Sequence, residues 1–345
     1  MLNKNLRYYR LKKNMSKKDL ASLCGVTPMA ITNYENGTRK PNMETIKSLA
    51  NALGARVTDF LAVRNENLVF RHEEFRKNSS LTRSQQEYVR ESVEEYFDRF
   101  FTVVELLGGE VLPDYPLCHQ LPLSDDDEEN ALNMRRHLRF ADYGPIGNLI
   151  AALENTGILV YLLEMKNDKF SGMNGFVNDR PYIVANSLMS PERNRSTIAH
   201  ELAHLMFQWP ETMSDKEAES RATSISGCFL LSKPDAKREL GERRKAITKD
   251  MILICEEYGI SMMLLVKRAE LCGIISSSLA KDFFIQAGQL GWRKNEPSRI
   301  KVEKPLLFEQ LVFRAVSENE ISVQKGAELL RMSFTEVEEH CFSEV

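Results

Sequence analysis

Residues 197–207 read TIAHELAHLMF, an apolar run that nevertheless carries His200, Glu201 and His204. A buried ionised carboxylate needs a proton, a counter-charge or a metal, so this stretch restricts the fold that can hold it. The apolar positions fit a helix. Positions four apart stack on one helix face, so His200 and His204 can direct ring nitrogens at one divalent ion with Glu201 beside them. The competing reading is a core helix whose two histidines are satisfied by ordinary hydrogen bonds.

A catalytic zinc takes three protein ligands and a water, so a third donor is expected nearby. Downstream, SDKEAESRATSISGCFLL reads as a helix with Ala218, Ala222, Ile225 and Phe229 as its inner stripe. Two glutamates compete. Ser214 and Glu217 match the S-x-x-E capping box, which gives Glu217 a structural task. Glu219 adjoins the inner stripe, where a carboxylate would want a cation, and is the expected ligand, with Glu217 the alternative. In zinc peptidases with H-E-x-x-H the glutamate is not a ligand; it takes a proton from water and later delivers it to the leaving amine. That role falls on Glu201.

Upstream, NLIAALENTGILVYLLEM predicts a helix, a turn at Gly157 and a buried strand, and GFVNDRPYIVANS one or two more strands turning at Asn178-Asp179. NLVFRHEEF fits a short strand. TRSQQEYVRESVEEYFDRFFTVVELLGG predicts one long amphipathic helix with Val89, Val93, Tyr96, Phe97, Phe100, Val103 and Val104 on its packing stripe. VLPDYPLCHQLPLS is proline-rich and should run extended across the surface between parts. The acid run after Ser124 reads as a helix start with Ser124 as cap.

Charge separates the two ends. Residues 1–62 hold eleven Lys or Arg against four Asp or Glu, a net of +7, whereas the remainder is 35 against 45, or −10. A basic small end on an acidic body points to a polyanionic partner. Ser16 caps KKDLASLCG, where Leu20 and Leu23 should share a face, and Gly25 suits a left-handed stop. Thr27 caps the next helix, with Pro28 first in it, Ile31 and Tyr34 inward, and Asn36-Gly37 ending it. METIKSLANALG should pack through Ile46, Leu49, Ala50 and Leu53, and VTDFL closes the bundle. Two short helices joined by a tight turn are a helix-turn-helix. Near the other end, ENEISVQKGAELLRMSFTEVEEH has the same look, with Ser322 as cap and Ala327 and Leu330 inward, but lacks clustered basic residues, so packing or partner binding is expected there.

Six scattered cysteines without a C-x-x-C pair indicate neither a zinc knuckle nor a disulfide framework. Without a long apolar run or an apolar N-terminal core, a cytoplasmic location and no membrane partner are expected.

The first sixty residues closely resemble the XRE-type helix-turn-helix repressors. PYIVANSLMSPERNRSTIAHELAHLMF and AESRATSISGCFLL resemble the ImmA/IrrE metallopeptidases, a likeness that continues through YGISMMLLVKRAELCGI, GWRKNEP and ISVQKGAELLRMS. The first resemblance implies binding to a double-stranded DNA operator, with Pro28, Met29, Thr32 and Asn33 toward bases and Lys17, Arg39 and Lys40 on phosphates. The second implies Zn2+ held by His200, His204 and Glu219, with Glu201 as catalytic base and a repressor or antitoxin-like protein as substrate. Departures occur at Ser196, Thr223, Ile225 and Ser232.

The resulting expectation is an α+β, mostly helical chain: a five-helix DNA-binding bundle and a zincin-like metallopeptidase domain with a small sheet. Its segments would be 1–63 (DNA binding), 64–120 (helical connector), 121–290 (peptidase) and 291–345 (C-terminal helices). A homodimer is expected because such readers bind paired half-sites. The alternative function is a non-proteolytic repressor or antitoxin whose peptidase-like part only senses or docks a partner. Tyr143, Tyr182 and His137 are candidates by type alone for oxyanion stabilisation.

Overall fold

The computed structural model describes residues 2–65, 67–72, 81–292 and 296–342. They divide between two compact units. One gathers residues 1–70, 78–111 and 308–345; the other takes 71–77 and 112–307.

The first unit opens with five helices, α1 (Leu2–Lys12), α2 (Lys17–Leu23), α3 (Pro28–Glu35), α4 (Met43–Leu53) and α5 (Val57–Leu61). Ser16, Thr27 and Asn42 each accept a backbone N–H at the start of α2, α3 and α4, satisfying donors that a helix start leaves unpaired. Gly54, at φ 63°, ends α4 in the left-handed region. Leu20, Ile31, Tyr34, Ile46, Leu49, Leu53 and Phe60 form the shared core. Leu23 is a correction: it is 64% exposed, and Ala21 joins Leu20 inside instead. A step of one residue keeps Ala21 on the buried stripe, whereas Leu23 falls at its margin.

The long helix α6 (Arg83–Leu106) belongs to this same unit, as do residues 308–342, where the sequence reading has a separate connector and a separate C-terminal segment. The reason is burial. Val89, Val93, Phe97, Phe100, Val103 and Val104 are all inside, and Phe308, in α15 (Leu307–Ser317), packs on Tyr96 and Phe100 at ring separations of 5.4 and 5.6 Å. α16 (Val323–Leu330) is capped by Ser322 and followed by α17 (Phe334–Phe342). It buries Leu329, not Leu330. Arg331 ends it at φ 58°, an unusual conformation for a non-glycine residue. Its guanidinium donates to the Tyr8 hydroxyl at 2.7 Å and to Glu95 Oε1 at 2.5 Å, joining α1, α6 and α16.

In the second unit, α7 (Asp127–His137) is capped by Asp126, not Ser124. The Ser124 backbone instead exchanges hydrogen bonds with the Asn130 side chain. After α8 (Leu149–Asn155) and Gly157, at φ 80°, come β2 (Leu159–Leu163), β3 (Gly172–Val177) and β4 (Arg180–Asn186). With β1 (Phe70–His72) they form a sheet in the order β1-β3-β4-β2. β4 runs parallel to β2 and antiparallel to β3. Asn178 and Asp179, both at positive φ, make the two-residue hairpin turn that suits right-twisted strands. Residues 73–75 of NLVFRHEEF, and residues 293–295 of GWRKNEP, lie outside the described residues.

On the sheet lies α9 (Pro191–Met206), covered in turn by α10 (Asp215–Leu230). α11 (Lys233–Leu240), α12 (Met251–Tyr258), α13 (Met262–Leu271) and α14 (Ser277–Gln289) follow them. Arg195 anchors α9: it donates to the carbonyls of Ile146 and Gly147 at 2.7 and 2.8 Å and pairs with Glu303. The proline-rich stretch does not simply cross the surface. His119 and Leu121 donate to the last carbonyls of α9, and Leu121 bridges Phe207. Those carbonyls have no partner inside their own helix, so an extended strand of chain satisfies them.

Candidate metal centre and DNA-reading face

The apolar residues of TIAHELAHLMF are buried where α9 packs on β3, β4 and α10: Ile198, Ala199, Leu202, Ala203 and Leu205 are completely inaccessible. Burial fixes the helix rotation, which places His200 and His204 toward α10. Their Nε2 atoms lie 3.2 Å apart. Glu219, one turn into α10, approaches both: Oε2 is 3.2 Å from His200 Nε2, and Oε1 is 3.4 Å from His204 Nε2. Hydrogen bonding to His200 first and His204 second holds the Glu219 carboxyl well below the usual carboxylate range.

These spacings suit a metal. A tetrahedral zinc with bonds of about 2.0–2.1 Å sets neighbouring ligand atoms about 3.3 Å apart, close to all three separations. Two imidazoles and a carboxylate are also a donor set that zinc takes in catalytic sites, leaving a fourth position for water. Among the described residues, His200, His204 and Glu219 form the one His, Cys, Asp or Glu group compact enough to hold an ion. Glu217 is exposed; its backbone N–H donates to the Ser214 hydroxyl.

Glu201, the next residue along α9, reaches β3. It is 7% exposed, and its Oε2 accepts from Asn174 Nδ2 at 2.8 Å. Asn174, in the middle of β3 and 1% exposed, was not singled out by the sequence. Its signal is a buried amide in a strand of otherwise apolar and small residues, GMNGFV. Gly172 lets this strand approach. A Cβ there would stand 2.5 Å from Thr197 Cγ2, 2.6 Å from the Val184 carbonyl oxygen and 3.5 Å from Glu201 Cγ. Gly172→Ala should therefore destabilise the second unit by about 1–3 kcal/mol, the usual range for overpacking. Urea denaturation followed by Trp209 and Trp292 fluorescence, both residues belonging to this unit, would show a lower midpoint. An unchanged midpoint would mean that β3 can recede without cost.

The Trp209 ring lies 5.2 Å from that of His204, and its Nε1 donates to the His204 carbonyl at 3.3 Å. Of the oxyanion candidates, His137 Nε2 bonds the Leu117 carbonyl at 2.8 Å, the Tyr182 hydroxyl meets His72 Nδ1 at 2.6 Å, and Tyr143 is 46% exposed.

On the other unit, α3 presents Pro28 and Met29 fully outward, with Thr32 and Asn33 half-buried behind them. The Thr32 hydroxyl donates to the Pro28 carbonyl at 3.1 Å, which leaves its oxygen as an acceptor. Arg39 and Lys40 are exposed just past the helix. Lys17 differs from the other cations: its Nζ is 3.5 Å from Glu35 Oε2, so part of its charge is matched within the bundle. Glu35 itself is inaccessible and paired with Arg10 through Nε to Oε1 at 2.5 Å and Nη2 to Oε2 at 3.1 Å.

Comparison with known proteins follows this division. Residues 6–60 match a family model described as "Helix-turn-helix", and residues 153–270 match a peptidase-family model described as "IrrE N-terminal-like domain". The chain joins a helix-turn-helix domain of the XRE type to an IrrE-like peptidase domain. A curated relative, described as an uncharacterized HTH-type transcriptional regulator YqaE of Bacillus subtilis (strain 168), is 30% identical over 73 residues. That match takes in 21% of this chain and 63% of the relative. The helix-turn-helix match covers α1–α5 up to Phe60, and the IrrE-like match covers β2–β4 together with α9 and α10, which carry every member of the candidate metal centre. Among the described residues no helix is long and apolar enough to cross a membrane.

Proposed function

We propose that this chain is a cytoplasmic, DNA-binding transcriptional regulator whose IrrE-like domain is a zinc endopeptidase acting on a repressor or antitoxin-like protein. The observation that carries the reading is the 3.2–3.4 Å spacing of the His200, His204 and Glu219 donor atoms, with Glu201, between the two histidines on α9, held by Asn174. Zinc, when bound there, supplies Lewis acidity to a water and to the scissile carbonyl. Glu201 takes the water's proton and returns it to the departing amine. Asn174 restrains its carboxylate through Oε2, so the base is presented in one orientation. The packed helix beneath excludes bulk solvent from the histidine side, with His204 only 6% exposed. Fusion to a DNA reader raises the peptidase's concentration near other proteins on the same operator.

Comparative proteomics of cells expressing the wild type and Glu201→Gln tests the proposal. Fragments of one or a few regulatory proteins should appear with the wild type alone. Identical proteomes would leave a DNA-binding regulator that cleaves nothing.

The DNA arm has its own test. The helix-turn-helix domain would read the operator with the α3 face, Thr32 and Asn33 toward base edges, beside Pro28 and Met29, and with Arg39 and Lys40 on phosphates, probing paired half-sites as a homodimer. If about four phosphates are neutralised, affinity should fall on the order of a hundredfold between about 50 and 200 mM salt, through counterion release. A flat salt response in a mobility-shift or anisotropy titration would reject phosphate contact by this end.

A further inference from the structure

We propose that Trp209 is a positioning residue that holds the His204 ring in the orientation in which it ligates the metal. The inference rests on the reading that His200, His204 and Glu219 hold zinc.

The chain around Trp209 is itself held in place. α9 stops at Phe207, which is extended at φ −91° and ψ 150°, and the Gln208 N–H donates to the Leu121 carbonyl at 2.9 Å. Pro210 follows, and a residue before proline is disfavoured in the helical region. The last four carbonyls of α9 show what the indole does there. Those of Ala203, Leu205 and Met206 accept backbone N–H groups, from Phe207, from His119, and from Gln120 and Leu121. The His204 carbonyl accepts the indole Nε1–H instead, at 3.3 Å, and an indole nitrogen can only donate. The same side chain packs on the His204 imidazole, with centroids 5.2 Å apart and planes at 38°, and the fully buried Phe207 ring meets it at 6.4 Å. One indole thus grips a single histidine at its backbone and at its ring. His204 Nε2 is left 3.2 Å from His200 Nε2 and 3.4 Å from Glu219 Oε1. A ligand whose rotation is already restricted loses less freedom when the metal binds, and contacts that orient ligands in this way tune affinity.

Measurements on the full chain test this. With fluorotryptophan in place of its two tryptophans, and Trp209 assigned by its persistence in Trp292→Phe, the fluorine NMR resonance of Trp209 should shift as zinc is added and stop shifting at one zinc per chain. Trp209→Phe keeps a flat ring, and Trp209→Leu keeps only apolar bulk; neither can donate. In competition with a chromophoric chelator, Trp209→Leu should bind zinc about 10–100-fold more weakly than wild type, with Trp209→Phe in between. A purely packing role would lower the urea midpoint of the metal-free variants and leave zinc affinity unmoved. The proposal is overturned by that pattern, or by a Trp209 resonance indifferent to saturating zinc, a result that needs no substitution at Trp209. Failure of the wild type to bind zinc at all would overturn the metal-site reading and this one together, whereas zinc bound without a response from Trp209 overturns the role of Trp209 alone.

Discussion

The Glu201→Gln chain is expected to purify with zinc at the wild-type stoichiometry and to cleave its partner at least about a hundredfold more slowly, the lower end of what a positioned general base contributes. The two properties separate because different atoms carry them. His200, His204 and Glu219 supply the three closely spaced donors, and Glu201 is absent from that set. The substitution keeps size and shape, and its amide oxygen can still accept from Asn174, so α9 and β3 should stay in register. What disappears is a group able to take a proton near neutral pH. His200→Ala gives the complementary result: one of three donors is gone, and metal analysis should find far less than one zinc per chain. Cleavage by Glu201→Gln within a few-fold of wild type would assign the base elsewhere, and full zinc content in His200→Ala would reject the ligand set.

Arg10→Met is expected to destabilise the helix-turn-helix bundle by about 3–5 kcal/mol, the usual consequence of removing one partner from a buried ion pair. Glu35 ends the helix proposed to enter the groove, and its carboxylate is inaccessible. Arg10, on α1, meets it in a two-pronged contact and also donates to the Met15 carbonyl at 2.9 Å. Lys17, half in solvent, is too loosely placed to replace a desolvated guanidinium. Combining Arg10→Met with Glu35→Leu should restore most of the loss, because apolar residues of similar volume avoid the desolvation penalty of both ions. Hydrogen exchange of amides in residues 2–61 of the full chain reads the opening free energy of the bundle directly. Equal protection in Arg10→Met and wild type would mean that the pair is energetically idle, and DNA affinity should then be unaffected as well.

Much of the candidate metal centre was legible because its signal is local. Two histidines four apart on an apolar helix need no tertiary information to be placed on one face, and the inner stripe of the following helix was enough to rank Glu219 above Glu217. The helix caps were equally readable at Ser16, Thr27 and Ser214, where a side-chain oxygen meets a backbone donor three residues on. Asn174 was not, since its partner lies 27 residues away and only the sheet brings them together. Thr223 stood out in the sequence merely as a departure from a familiar pattern; its contact with His200 depends on how two helices pack. Burial of Glu91, Glu95 and Asp98 along α6 escaped notice for the same reason. Charged residues on an amphipathic helix usually face water, and here they meet Arg64, Arg331 and the backbone of Asn65. Leu23 and Leu330 were misplaced by one or two positions on short helices, where about two turns leave periodicity little to average over.

Residues 308–342 pack with the opening bundle, while residues 112–307 belong to the other compact unit. A ribosome must therefore finish the IrrE-like half before the chain emerging behind it can supply Phe308 and Arg331 to the helix-turn-helix half. During synthesis, the peptidase-like unit can close ahead of the unit that holds the chain's first helices.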